Sequence, residues 1–219
     1  MHIKTSEQQK VKLGFGNYRC NWGLHLAGLY ETEEERDDII YSFLNQGLKE
    51  GSLVVFSSNH LSAKQLKNQF SKIYPQSGYK LENEVRFIFL SSKELYYPDG
   101  EFSPWKMDDR LNKIEKTAKK YGRTVRILGN MRWIMEKKPE NDHIMAYESR
   151  VNNFMAGKRW LALCMYDITL FSGEFLMNVL RTHPCTINGK IITQNPYYMN
   201  PDDYLKKHAP QFLKDNRAP

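Results

Sequence analysis

Apolar runs and amphipathic stretches alternate along this chain, with the two periods that separate strands from helices. Short runs with little polar interruption fall at 24–30 (LHLAGLY), 53–56 (LVVF), 85–90, 124–128 and 161–166 (LALCMY), the pattern of strands buried on both faces. Between them the apolar positions recur at helical spacing. Ile39, Ile40, Phe43, Leu44 and Leu48 follow a Thr32/Glu35 capping-box pair, and Gly51 ends that helix. A second helix is predicted over 62–73, with Pro75, Gln76, Ser77 and Gly78 as its break. Ser103 and Pro104 start a third, whose Met107, Leu111, Ile114 and Ala118 form one stripe. A fourth is predicted over 140–156 and a fifth over 172–181, where Ser172 caps and Phe175, Leu176, Val179 and Leu180 share a face. Asn188-Gly189 predicts a hairpin with a type I′ turn. This order implies an α/β fold in three layers: a mostly parallel central sheet flanked by helices, with a C-terminal β-hairpin. Segment 91–103, with its Pro98-Asp99-Gly100 turn, is the longest break in the rhythm. It reads either as a lid or as a connector whose Leu95, Tyr96 and Tyr97 pack on the sheet edge.

A length of 219 residues with 41% apolar content suits one well-buried domain and is short for two. The expected division is a leader at 1–21, a domain at 22–200 and a helical or disordered tail at 201–219, with no internal repeat. The mean hydropathy of −0.64 and the lack of any apolar run approaching ~20 residues argue against a membrane span. Residues 1–20 lack the apolar core of a secretion signal, so a cytoplasmic location is expected. Cys20, Cys164 and Cys185 are an odd number at no metal-knuckle spacing, which favours reduced thiols. The net charge of +7 is spread over 32 basic and 25 acidic side chains. Lys119-Lys120, Lys137-Lys138, Lys158-Arg159 and Lys206-Lys207 fall mostly at predicted helix ends. No helix carries the sustained basic stripe that phosphate neutralisation requires, so neither nucleic acid nor membrane is expected as a partner.

Ligands of open parallel sheets bind beyond the carboxyl ends of the strands. Here those positions hold Glu31, Ser57, Ser58, Ser91, Ser92, the run from Gly129 to Trp133, and Asp167. No G-x-x-x-x-G-K-[ST] follows a strand, and the loop after the first strand is ETEEE, whose carboxylates repel phosphate. Cys164, His183 and Asp167 supply the types of a nucleophile, a base and an orienting acid. Cys164, however, lies inside an apolar strand, where burial disfavours the thiolate. No catalytic residue is assigned and no enzyme is expected. His25, His183, Cys164 and Cys185 carry metal-donor atoms, but no pair has local ligand spacing, so neither a metal nor another cofactor is expected. Glu148 and Asn152 share an inward helix face with Ile144 and Met155. A buried carboxylate needs a partner, and Arg132, Arg181 or His183 can serve.

Taken in order, HLAGLYETEEERDDIIYSFLNQGLKEG, YYPDGEF, GNMRW, AYESRVNNF and LCMYD…VLRTHP…NGKIITQNPYY resemble the MEDS family, the sensory domain of methanogens, methylotrophs and the dichloromethane-responsive repressor, over about residues 22–200. The resemblance implies a RecA/KaiC-like fold without its phosphate loop. It also implies a non-catalytic sensor of a small organic ligand, such as a simple hydrocarbon derivative, that signals to a regulator. Twenty-one leading residues are too few for a helix-turn-helix and no kinase module follows Tyr198, so the expected partner is a separate histidine kinase or transcription regulator, or a homo-oligomer. The ligand pocket is expected above the strand ends, anchored by His25, Tyr30, Asn130, Arg132, Trp133, Glu148, Cys164, Tyr166, Arg181 and His183. Two alternatives stand beside this reading: a degenerate nucleotide-binding protein, and a ligand-independent interaction module.

Overall fold

In the computed structural model, which describes residues 10–75 and 86–213, the chain opens with a small hairpin, β1 (Val11–Lys12) and β2 (Arg19–Cys20). The main sheet begins at β3 (Leu24–Tyr30) and alternates with helices: α1 (Glu33–Lys49), β4 (Leu53–Ser57), α2 (Ala63–Ile73), β5 (Phe87–Leu90), α3 (Ser92–Tyr96) and α4 (Pro104–Lys120). It continues through β6 (Val125–Asn130), α5 (Trp133–Lys137), α6 (Asn141–Met155), β7 (Trp160–Asp167) and α7 (Gly173–Thr182). A hairpin of β8 (Cys185–Asn188) and β9 (Ile191–Gln194), then α8 (Pro201–His208), complete it. The sheet order is β5-β4-β6-β7-β3-β8-β9, parallel throughout except for β9.

The strands are the apolar runs of the sequence, and β7 is buried along its whole length. Alternation along β3 and β7 sends Leu26, Leu161, Leu163 and Met165 to the face covered by α1 and α2. It sends Ala27, Ala162, Cys164 and Tyr166 to the face covered by α4, α6 and α7. Two of the three start signals work as expected: Thr32 and Glu35 cap α1 reciprocally, and the Ser172 hydroxyl accepts from the Phe175 N–H at 3.2 Å, whereas α4 begins at Pro104 with no cap bond from the Ser103 side chain.

Four features differ from the sequence pattern or extend it. Val11, Leu13 and Phe15, ahead of the first predicted strand, are buried in the α1-side core. Arg126 of β6 holds that segment: it donates to the Leu13 carbonyl at 3.2 Å and to Glu50 at 2.6 Å, and lies 5.0 Å over the Phe43 ring. Segment 91–103 contains α3, capped by Ser91 and Glu94, with Leu95, Tyr96 and Tyr97 all buried; the connector reading describes it and the lid reading does not. The hairpin turn is shifted by one residue. Asn188 pairs with Ile191, leaving Gly189-Lys190 as the loop, and only Gly189 has positive φ, so two positive angles of a type I′ turn are not present. Beyond β9, α8 docks on α6 through Leu205, with Ala209 and Phe212 joining Ala146. Residues 76–78 of the predicted break and Val85 of the predicted third strand lie outside the described residues. No helix among the described residues is long and apolar enough to cross a membrane.

Candidate functional site

Five ionisable or polar side chains meet beneath α6 and α7, midway along the sheet. β3 and β7 pair in parallel with His25 opposite Ala162 and Ala27 opposite Cys164. His25 and Cys164 therefore emerge on the same face from adjacent strands, with His25 Nε2 3.4 Å from Cys164 Sγ. α6 brings Glu148 down onto them: its Oε2 stands 3.3 Å from His25 Nε2 and accepts from the Cys164 thiol at 3.6 Å. Its other oxygen, Oε1, accepts from the Tyr166 hydroxyl at 2.6 Å. His183 closes the group from the end of α7, its Nε2 3.5 Å from Glu148 Oε2 and its ring centroid 4.0 Å from that of His25. His25, Glu148, Tyr166 and His183 are fully buried and Cys164 nearly so.

Local structure explains why His183 points inward. Asn152 on α6 donates to the Thr182 carbonyl at 2.8 Å, and Asn195 donates to the His183 carbonyl at 2.8 Å. These bonds satisfy carbonyls that the last turn of α7 cannot pair internally. The imidazole Nδ1 lies 2.8 Å from the Val179 carbonyl, which can only accept, so Nδ1 carries the hydrogen. Nε2 then faces Glu148 with no hydrogen-bond partner, and His25 Nδ1 likewise has none.

Burial dominates the electrostatics of this group. It pushes the His25 imidazole down to about 4, helped by His183 and opposed by Glu148. Burial also pushes the Cys164 thiol and the Tyr166 hydroxyl well up, and the Glu148 carboxylate adds to both. For Glu148 itself burial pushes the carboxyl up, but the adjoining His183 and His25 imidazoles outweigh it and hold the group well below the usual carboxylate range. A thiol that stays protonated is a poor nucleophile.

Cys164 is also one wall of an apolar cavity of about 10 Å³ between the sheet and α4 and α6, with room for roughly one water. Tyr96, Ile127, Tyr147, Phe154 and Trp160 line it. Gly129, opposite Cys164 in the β6–β7 register, makes space for Tyr96: a Cβ there would collide with the Tyr96 hydroxyl. The sequence offers no signal for this lining, because Tyr147, Val151 and Met155 have the spacing of any core-facing helix stripe.

The ten predicted anchors thus separate into groups. His25, Glu148, Cys164, Tyr166 and His183 come together under the helices rather than above the strand ends. Of the three partners offered for Glu148, His183 is the one within the cluster. Tyr30 and Asn130 lie at the carboxyl ends of β3 and β6, close to Asp167 and Arg132; burial pushes the Tyr30 hydroxyl up to about 12. Trp133 stacks on Tyr96 at 4.7 Å and is wholly buried as packing. Arg181 bonds Asn178 on its own helix at 2.9 Å.

The family model described as the methanogen/methylotroph, DcmR sensory domain (MEDS) matches residues 24–184. The transcriptional repressor DcmR of Methylorubrum extorquens is 23% identical over 165 residues, covering 74% of this chain. The match spans only 58% of that relative's length. Among solved structures, a KaiC-like protein from Pyrococcus horikoshii OT3 aligns with a TM-score of 0.56 at 13% identity, covering 82% of this chain and 80% of that one. The flagellar accessory protein FlaH of Methanocaldococcus jannaschii aligns with a TM-score of 0.51 at 12% identity, covering 82% and 81%. At such identities these two likenesses establish the fold, KaiC-like and RecA-like, as the sequence motifs implied.

Proposed function

From the premise that the chain belongs to the MEDS family of sensory domains, we propose that it is a non-catalytic sensor. In this reading it binds a small organic molecule, of the class of simple hydrocarbon derivatives, at the buried cluster and its adjoining cavity. It then passes the bound state to a separate regulatory protein. The sensory and regulatory role follows from the family and from the similarity to a transcriptional repressor. The observation that carries the choice of site is Cys164, which belongs at once to the polar cluster and to the apolar cavity wall. A ligand there meets an apolar surface with a few convergent polar groups, the usual chemistry of small-molecule sites. The cavity has room for about one water, so an organic ligand enters by moving the lining side chains.

Signal output in this proposal runs through His183. Its backbone joins α7 to β8, and the β8–β9 hairpin carries Ile191, which is exposed at the sheet edge. A ligand that favours one position of His183 over another shifts the population of that edge.

Nucleotide binding is disfavoured by geometry as well as by charge. The backbone N–H groups of Glu31 and Thr32, at the start of α1, already donate to the Glu35 carboxylate at 2.8 and 3.3 Å. A phosphate would have to displace an anion that is covalently part of the chain.

Thermal unfolding against a panel of one- and two-carbon alcohols, thiols, amines and halides tests the reading. A ligand present at a hundred times its Kd adds about 2.7 kcal/mol, a rise of roughly 5–10 °C. His25→Ala should abolish the response and Arg132→Ala, at the strand-end rim, should retain it. A panel without response, or one abolished only by Arg132→Ala, contradicts the assignment.

A further inference from the structure

The buried cluster has the composition and the spacing of a tetrahedral metal centre, and we propose that His25, Glu148, Cys164 and His183 bind one zinc-class divalent transition metal. Each of the four offers a donor atom, and these atoms all lie within 4.8 Å of one another. Around zinc with ordinary bond lengths, tetrahedral nitrogen, oxygen and sulfur donors stand about 3.3–3.6 Å apart. Four of the six edges match this: 3.3 and 3.5 Å from Glu148 Oε2 to the two Nε2 atoms, 3.6 Å from that oxygen to Cys164 Sγ, and 3.4 Å from His25 Nε2 to Sγ. The metal-free cluster leaves a bare imidazole lone pair aimed at a carboxylate, because His183 spends its hydrogen on the Val179 carbonyl.

The surroundings are those of a supported site. The Val179 carbonyl fixes the tautomer of His183, and the Tyr166 hydroxyl fixes the carboxylate by its outer oxygen at 2.6 Å. Charge balances too. A divalent ion, the Glu148 carboxylate and the Cys164 thiolate sum to zero, which relieves the burial of an uncompensated anion. On binding, the Sγ–H bond breaks, an Sγ–metal bond forms and one proton leaves to solvent. Mixed imidazole, thiolate and carboxylate donors favour zinc over magnesium or calcium. Local sequence spacing could not reveal the set, since His25 and Cys164 are 139 residues apart. Cys185, which carries a donor atom in the sequence, lies outside this four-residue group, and Glu148 belongs to it.

This inference goes beyond the sensory reading and can stand or fall without it. The intact chain is stripped with a chelator, reconstituted with Zn²⁺ or Co²⁺ and desalted. We expect one metal per chain and, for cobalt, tetrahedral visible bands with a thiolate charge-transfer band in the near ultraviolet. The double variant Cys20→Ser/Cys185→Ser should keep the charge-transfer band and Cys164→Ser should lose it. Tyr166→Phe, which leaves all four ligands in place, should weaken the metal by roughly 10–100-fold. Substoichiometric metal, an octahedral cobalt spectrum, or a charge-transfer band that disappears with Cys20 and Cys185 overturns the proposal. Should Cys164→Ser fail to fold, the double variant still decides. Metal without any response to the organic panel, or the converse, separates this failure from failure of the sensor reading.

Discussion

His25 shows how a single residue's surroundings set its chemistry. An exposed imidazole takes up its proton at 6.5, whereas this one does so at about 4 because burial and His183 outweigh Glu148. In the metal-free protein the unfolded chain therefore binds more protons than the folded one between those values. The stability this group contributes is full above pH 6.5 and is lost as pH falls towards 4, on the order of 3 kcal/mol. Urea unfolding of chelator-treated protein should show the decline, and His25→Gln should flatten it. Gly129 makes a second residue-scale prediction. Gly129→Ala should cost about 1–3 kcal/mol by driving the Tyr96 ring from its place and should weaken the organic ligand. It should leave metal stoichiometry unchanged, since Tyr96 is not among the four donors. All five cluster residues stood among the sequence candidates, because strand position and inward helix face were readable. Their meeting was not, since it depends on the β3–β7 register and on how α6 crosses the sheet.

At the scale of elements, the end of α7 carries more of the site than its sequence reveals. Asn152 and Asn195 hold the last carbonyls of that helix, and with them the direction of His183. Asn195→Ala should destabilise by about 1–3 kcal/mol and also weaken ligand binding. Thr32→Ala removes the cap of α1 on the other side of the sheet. It should cost about 1 kcal/mol and leave binding unaffected. Chemical denaturation paired with calorimetry on the two variants distinguishes support of the site from support of the fold. The capping box of α1, the serine cap of α7 and the apolar runs were legible because their signals are local. The β1–β2 hairpin was not, because strands of two residues have no period, and its anchor Arg126 comes from a distant strand. The turn at Gly189 shows the same limit: the dipeptide marked a hairpin, and strand pairing decided which residues became the loop.

For the molecule as a whole, the strand order places β7 and β3 in the middle of the sheet, with helices covering both faces. The cluster is thus built on two adjacent central strands, and in the proposed reading its outlet is α7 and the edge hairpin. A KaiC-like sheet is retained while the start of α1 is capped by its own carboxylate and the polar chemistry lies on the opposite face. In the proposed reading this buried group is where the ligand acts. Side-chain nitrogen NMR of the histidines tests it most directly, because each imidazole reports separately. Titration with a ligand identified from the organic panel should shift the resonances of His25 and His183 and leave those of His60, His143 and His208 in place. A saturating ligand that leaves His25 and His183 unmoved would exclude the cluster as its binding site.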